Sequence, residues 1–176
     1  MDAPYPPWVA AKQPASLRVA DVLAVHRDYY QGTPYDLSNG LASGPWGTPN
    51  RFMFPAAPFN AWERPISLYR TAVSYVAQSR PAGSGTVWFG PHAPHGTIYV
   101  PLSPRMSTLP AAYGSFDVTS GALDRRGAYW AHVATQAVAE GRFSWVQPEV
   151  AALQTLLHSN GLEAQAKADA IAANAA

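Results

Sequence analysis

Five side chains that could carry chemistry lie in short motifs of this 176-residue sequence: Asn50, Arg51, Arg70, His92 and His95. An amide beside a guanidinium, as in Asn50 and Arg51, suits recognition of a carboxylate through charge-assisted hydrogen bonds. His92 and His95 could both ligate a metal ion, but no third ligand follows at a matched spacing, so we expect no metal site. The sequence also lacks a phosphate-binding glycine loop and a Gly-x-Ser-x-Gly elbow.

Arg70 is the strongest candidate because of the strand predicted around it. Large side chains alternate between two faces from Pro65 to Gln78, and we expect both faces to be buried. Arg70 would then share an apolar face with Ile66, where a charge needs a partner or a ligand. The partner could be an acid such as Glu63 or Asp117, which would make Arg70 structural, or it could be a substrate.

The other candidates also have structural interpretations. Asn50 could close a turn and Arg51 could anchor a loop, since Pro-Asn sequences often form turns. We interpret His95 first as a histidine in a hairpin loop, second as a site residue and last as a metal ligand.

The periodicity of the chain predicts strands followed by helices, which is typical of an α+β fold. An aromatic-rich loop is expected between the first helix and the first strand, the strands are expected to form an antiparallel meander, and the last helix is expected to break near Asn160-Gly161. The predicted elements are a helix at Leu17 to Tyr30, a loop at Gly32 to Arg64, strands at Pro65 to Gln78, Thr86 to Gly90 and Thr97 to Leu102, and helices at Asp124 to Glu140 and from Pro148 onward. Residues 1–176 would form one domain or part of one, with residues 161–176 frayed at the end.

Composition excludes several classes of partner. The formal net charge is +1 and there is no run of Lys or Arg, so we expect neither nucleic acid nor a membrane surface as a partner. No apolar run approaches the ~18 residues of a membrane span, and the start of the chain does not have the pattern of a secretory signal. The absence of cysteine excludes disulfides and thiolate metal sites, and it leaves the cellular location open.

Three ordered segments carry a resemblance to a known family. They are His26-Arg-Asp-Tyr-Tyr-Gln-Gly-Thr-Pro-Tyr-Asp-Leu, Gly44-Pro-Trp-Gly-Thr-Pro-Asn-Arg-Phe and Glu63-Arg-Pro-Ile-Ser-Leu-Tyr-Arg-Thr. Together they resemble the dipeptidase A-like and secernin-like cysteine peptidases, which are N-terminal-nucleophile hydrolases. The resemblance implies a four-layer αββα sandwich, of which this chain would hold part of one sheet and some covering helices.

The resemblance also implies a reaction and roles for several residues. An N-terminal cysteine would attack a dipeptide without a metal or organic cofactor, Arg70 would be catalytic, and Asn50 and Arg51 would bind the substrate carboxylate. His95 resembles a histidine of a family stretch that continues here as Gly96-Thr-Ile-Tyr-Val-Pro, and it is the third candidate for substrate binding. Because the chain has no cysteine, the resemblance implies the C-terminal part of such an enzyme.

Two functions therefore follow from the sequence. The first is part of a cysteine dipeptidase that depends on a missing N-terminal half or an equivalent chain for its nucleophile. The alternative is a nonenzymatic binding or interaction module that retains the fold and uses the aromatic loop from Trp46 to Trp62 as its surface.

Overall fold

A computed structural model describes residues 17–50, 63–80, 84–114 and 122–174. Its sheet has three antiparallel strands in the order β1 (Val73–Gln78), β2 (Thr86–Pro91) and β3 (Val100–Leu102). Val76 of β1 lies opposite Trp88 of β2. The predicted meander is therefore confirmed.

Strand β1 begins eight residues later than the sequence predicted, at Val73 rather than Pro65. The Ser67 N–H donates to the Asp28 carbonyl at 2.9 Å, and the Thr71 N–H donates to the Leu68 carbonyl at 3.0 Å. These bonds fold the chain into turns, and the cross-strand bonds begin only near β1, where the His92 N–H donates to the Ala72 carbonyl at 2.8 Å. The expectation that both faces of the strand are buried is also wrong, because Val73 and Tyr75 are 47% and 62% exposed.

Helix α1 (Val19–His26) is shorter than the predicted span from Leu17 to Tyr30. At its start, the Asp21 carboxylate accepts a 2.9 Å hydrogen bond from the Arg18 backbone N–H, which is the reciprocal half of a capping box. Tyr30 has a φ of 65°, a left-handed conformation that a helix cannot contain. The helix has therefore ended before this residue.

Helix α2 (Ala128–Glu140) begins after Asp124, which instead pairs with Arg126 in a preceding turn. Helix α3 (Phe143–Asn174) runs without interruption through Gly161, so the predicted break is wrong. A Cβ on Gly161 would lie 3.1 Å from the Trp88 ring and 3.2 Å from Cδ of Pro101. Gly161 therefore allows α3 to pack closely against the sheet, and the fraying of residues 161–176 remains a prediction.

The core lies on the Trp88 face of the sheet. Trp88, Tyr99 and Leu23 are almost completely buried together, and the His158 ring of α3 lies 4.9 Å from the Trp88 ring. Phe89 points to the opposite face, where Tyr113 contacts it edge-on at 5.9 Å. These layers confirm an α+β fold, and the full αββα sandwich remains a prediction.

No helix in the described ranges is both long enough and apolar enough to cross a membrane.

Candidate functional site

A buried serine–histidine pair joins the turn before β1 to the loop between β2 and β3. Ser67 Oγ lies 2.8 Å from His95 Nδ1, and the His95 backbone N–H donates to Ser67 Oγ at 2.7 Å. Nδ1 also lies 3.3 Å from the Ser67 carbonyl, so the proton of this contact is on Oγ or on Nδ1 according to the tautomer of the imidazole. His95 thus lies in the loop of a hairpin, as the sequence predicted.

The environment of His95 keeps its imidazole neutral. Burial lowers the pKa of His95 to about 4, even though the hydrogen bond of its ring to the Ser67 backbone carbonyl acts in the opposite direction. Tyr29 and Phe143 pack edge-on against the ring with centroid distances of 6.3 and 5.8 Å. Ser67 and His95 are 0% and 3% exposed, so the pair is closed to a substrate carbonyl in this conformation.

Three glutamines from the helices hold the His95 loop in place. Nε2 of Gln154 donates to the carbonyls of His95 and Thr97 at 3.0 and 2.9 Å, and Nε2 of Gln147 donates to the His95 carbonyl at 2.9 Å. Nε2 of Gln136 donates to another carbonyl of the same loop, that of Ala93, at 2.9 Å. The helices thereby satisfy carbonyls that would otherwise be buried without a partner.

These glutamines are not among the site residues predicted from the sequence. Gln147 and Gln154 are seven residues apart, which places them on one face of a helix. That spacing was the available signal, although glutamine is also common on solvent-facing helix surfaces.

Asn50 is bound to the end of α2. Its Nδ2 donates to Glu140 Oε1 at 2.7 Å, and its backbone N–H donates to Thr48 Oγ1 at 3.2 Å. Burial raises the pKa of Glu140, and the bond from Asn50 opposes that shift. Asn50 Oδ1 is buried and has no hydrogen-bond partner within the described ranges, so it remains an unused acceptor. Arg51 lies outside the described residues.

Arg70 lies in an exposed turn and not on the predicted strand face. Its Nε donates to the Tyr69 hydroxyl at 2.8 Å, and its guanidinium carbon is 5.2 Å from the centre of the Tyr69 ring. The predicted location was wrong because the chain turns at Ser67 before β1 begins. Asp117, one of the two proposed partners, lies outside the described residues.

The structure brings Asn50 and His95 to the corner between α2 and α3, and it keeps Arg70 in the turn that follows Ser67. Glu140, the partner of Asn50, ends α2, whereas Phe143, which packs on His95, begins α3. The catalytic role of Arg70 and the substrate-binding roles of Asn50, Arg51 and His95 remain predictions.

His92 has no metal-binding arrangement around it among the described residues. Burial lowers the pKa of His92, opposed by the nearby Gln136 side chain, and its ring packs edge-on against Tyr129 at 5.9 Å. Across the part of the chain that the structure describes, no group of three His, Cys, Asp or Glu side chains could hold a metal ion.

A cleft of about 580 Å³ opens beside these residues, between the end of α1 and the first turns of α3. Its walls include Arg27, Tyr29, Gln147 and Gln154. The two glutamines also hold the His95 loop, so this loop is coupled directly to the wall of the cleft.

Comparison with known proteins supports the resemblance. The family model described as Peptidase family C69 matches residues 4–155, a range that contains Asn50, Arg51, Arg70 and His95. A comparison with curated proteins found no match. Because the family match spans most of the sequence, the chain belongs to Peptidase family C69, the dipeptidase A and secernin family of cysteine peptidases, and its function is that of a peptidase.

Proposed function

We propose that this chain forms part of a dipeptidase whose nucleophilic cysteine lies on a polypeptide segment outside the 176 residues. The observation that carries the proposal is the family match over residues 4–155 in a sequence without cysteine. In the proposed reaction the cysteine thiolate attacks the peptide carbonyl, the free α-amino group of that cysteine moves the proton, and water releases the acyl group. Dipeptides are the substrates, and no cofactor takes part.

The exposed face of β1 is the proposed docking surface for the cysteine-bearing segment. Val73 and Tyr75 project from this face, and Phe89 follows on the neighbouring strand. β1 is also an edge strand of the described sheet, so its outer backbone groups are available for pairing. A second sheet stacked here would complete the αββα arrangement.

In this proposal Arg70 supplies a positive charge close to the nucleophilic cysteine. Its turn precedes β1 directly, so a segment that docks on β1 would approach the guanidinium. A fixed cation near a thiol lowers the pKa of the thiol and stabilises negative charge that develops in the transition state.

The test is hydrolysis of alanyl-alanine by this chain alone and by the chain joined to a segment that begins with cysteine. We expect hydrolysis with the joined protein and none with the chain alone. Replacement of the added cysteine with alanine should abolish the activity, and equal hydrolysis without that cysteine would contradict the proposal.

The same assay tests Arg70. We expect Arg70→Ala to lower kcat/KM of the joined protein by about 100-fold, which is typical for removal of one group that stabilises the transition state. Arg126→Ala is a matched control, because Arg126 is exposed and paired with Asp124. A normal rate in the folded Arg70→Ala variant would refute the catalytic role.

The alternative function is a nonenzymatic binding module that uses the aromatic loop from Trp46 to Trp62. Trp46 is already engaged within the chain, because the Arg142 guanidinium carbon lies 4.8 Å from its ring centre and Trp145 packs edge-on at 5.3 Å. Residues 51–62 of this loop lie outside the described ranges. The contacts of Trp46 therefore favour the dipeptidase proposal over the binding module.

A further inference from the structure

The cleft between α1 and α3 has a cation in its wall. Among the described residues that line the cleft, Arg27 is the one with a charged side chain, and the rest of the lining combines polar side chains with apolar ones such as Phe143. A volume of about 580 Å³ is in the range of clefts that hold small molecules. The site therefore has the size and the charge to receive a small anion.

The guanidinium of Arg27 is incompletely satisfied. Its carbon lies 5.2 Å from the centre of the Tyr99 ring, which is a cation–π contact. Nε is buried and has no hydrogen-bond partner within the described ranges. A partly desolvated cation with an unused donor is costly unless a ligand compensates it.

Within the described part of the chain, the charged and titratable neighbours do not supply that compensation. Burial and the charge of Arg27 both lower the pKa values of His26 and His158, which favours their neutral forms. Asp36 lies near Tyr29, another residue of the cleft wall, but its Oδ1 accepts bonds from the Ser38 N–H and hydroxyl at 2.8 and 2.6 Å. Its Oδ2 also accepts a bond from the Gly32 N–H at 3.1 Å, so both oxygens are engaged in the turn around Asp36.

A carboxylate is the anion that this arrangement fits best. The planar guanidinium fork matches the two oxygens of a carboxylate. The amide side chains of Gln31 and Asn39 also line the cleft, and amides offer both donors and acceptors to a peptide group.

We propose that this cleft binds a small peptide through its C-terminal carboxylate, with Arg27 as the residue that pairs with the carboxylate. The preference for an anion rests on the environment of Arg27, whereas the identity of the ligand as a peptide rests on the proposed function. In this subsite Arg27 pairs with the carboxylate in place of Asn50 and Arg51, to which the sequence assigned it, and Arg27 takes no part in bond cleavage.

The experiment is an NMR or calorimetric titration of the 176-residue chain with alanyl-alanine and, separately, with alanyl-alanine amide. We expect saturable binding of the free acid and binding of the amide that is weaker by about tenfold or more, the usual effect of losing a charge-assisted hydrogen bond. Equal affinity for the two probes, or no saturable binding of the acid, would overturn the proposal.

Variants then assign the effect to Arg27. Arg27→Gln should weaken binding of the acid by about tenfold or more and leave the amide unchanged. Arg27→Lys should bind the acid with intermediate affinity, because it keeps the charge and loses the fork. Arg18→Gln is the matched control, since Arg18 is exposed and paired with Asp21. If Arg27→Gln does not fold, Arg27→Lys and the pair of probes on the natural sequence decide the result.

This titration separates the inference from the proposed function. If the acid binds through Arg27 but is not hydrolysed when the cysteine segment is joined, the proposed function fails and the subsite remains. If hydrolysis occurs with an unchanged KM in the folded Arg27→Gln variant, the subsite is refuted and the proposed function remains.

Discussion

Replacement of His95 with asparagine should make the stability of this protein much less sensitive to acid. His95 is 3% exposed, and burial holds its pKa at about 4, below the ordinary value of 6.5. The asparagine amide has both an acceptor and a donor near the position of Nδ1, so Ser67 retains a hydrogen-bond partner whichever tautomer the histidine has. The change therefore removes the titration with a small loss of hydrogen bonding.

The sign and size of the effect follow from proton binding in the two states. Between pH 6.5 and pH 4 the unfolded chain binds a proton at His95 and the folded protein does not, so the free energy of unfolding rises with pH in this window. A difference of 2.5 pKa units corresponds to about 3 kcal/mol. This stability is present above pH 6.5 and is lost as the pH falls toward 4.

The assay is urea unfolding followed by tryptophan fluorescence at several pH values from 4 to 7.5. The difference in unfolding free energy between pH 7.5 and pH 4 should be smaller in His95→Asn by about 3 kcal/mol. His26→Asn is the matched control, and it should change this difference less because His26 is only partly buried. An unchanged pH dependence in His95→Asn would refute the assignment of a neutral, buried imidazole.

Three further predictions concern the supports of the His95 loop and of the helix corner. A Cβ on Gly96 would lie 1.9 Å from Nε2 of Gln136, so Gly96→Ala should displace that buried amide and lower the unfolding free energy by about 2 kcal/mol. Gln154→Leu keeps much of the volume but leaves the Thr97 carbonyl without its donor, and we expect a loss of about 1–3 kcal/mol in urea unfolding. Arg142→Gln removes two cation–π contacts at an exposed position, and it should lower the unfolding free energy by about 1 kcal/mol in dilute buffer. This loss of stability should be smaller in 1 M salt, because salt screens the exposed charge. A Gly96→Ala or Gln154→Leu protein as stable as the natural one would contradict the loop contacts, and a neutral Arg142→Gln would contradict the packing of this cation on two indoles.

Local patterns predicted the sheet well where tertiary bonds did not interfere. The alternation in β2 places Trp88 inward and Phe89 on the opposite face, and the turns on either side of this strand define the meander. The start of β1 was not predictable in the same way. Ser67 is fixed by Asp28 and His95, which come from two other parts of the chain.

The helices show the same distinction between local and distant causes. An Asn-Gly pair usually ends a helix. At Gly161, however, the helix continues, and the Trp88 ring of a strand far away in sequence lies where a side chain at position 161 would be. A pattern read along α3 contains no information about that contact. The continuous helix is a result of tertiary packing.

The candidate site was predictable in its residues and not in their partners. Asn50 and His95 were selected from their motifs, and both are held in buried positions. The partner of Asn50 is Glu140, 90 residues away, and the carbonyl of His95 is held by Gln147 from 52 residues away. Such bonds depend on how the helices dock, so the sequence alone did not reveal them.

The bonds that hold the His95 loop also determine when it can form during folding. Each joins segments that are distant in sequence: Ser67 and His95 are 28 residues apart, and Gln154 and Thr97 are 57 residues apart. Contacts of this separation carry a loop-closure cost before they contribute stability, so the loop should become ordered after the meander and both helices have assembled. Weakening it should then accelerate unfolding and leave the refolding rate nearly unchanged, which makes this loop a determinant of the lifetime of the folded protein.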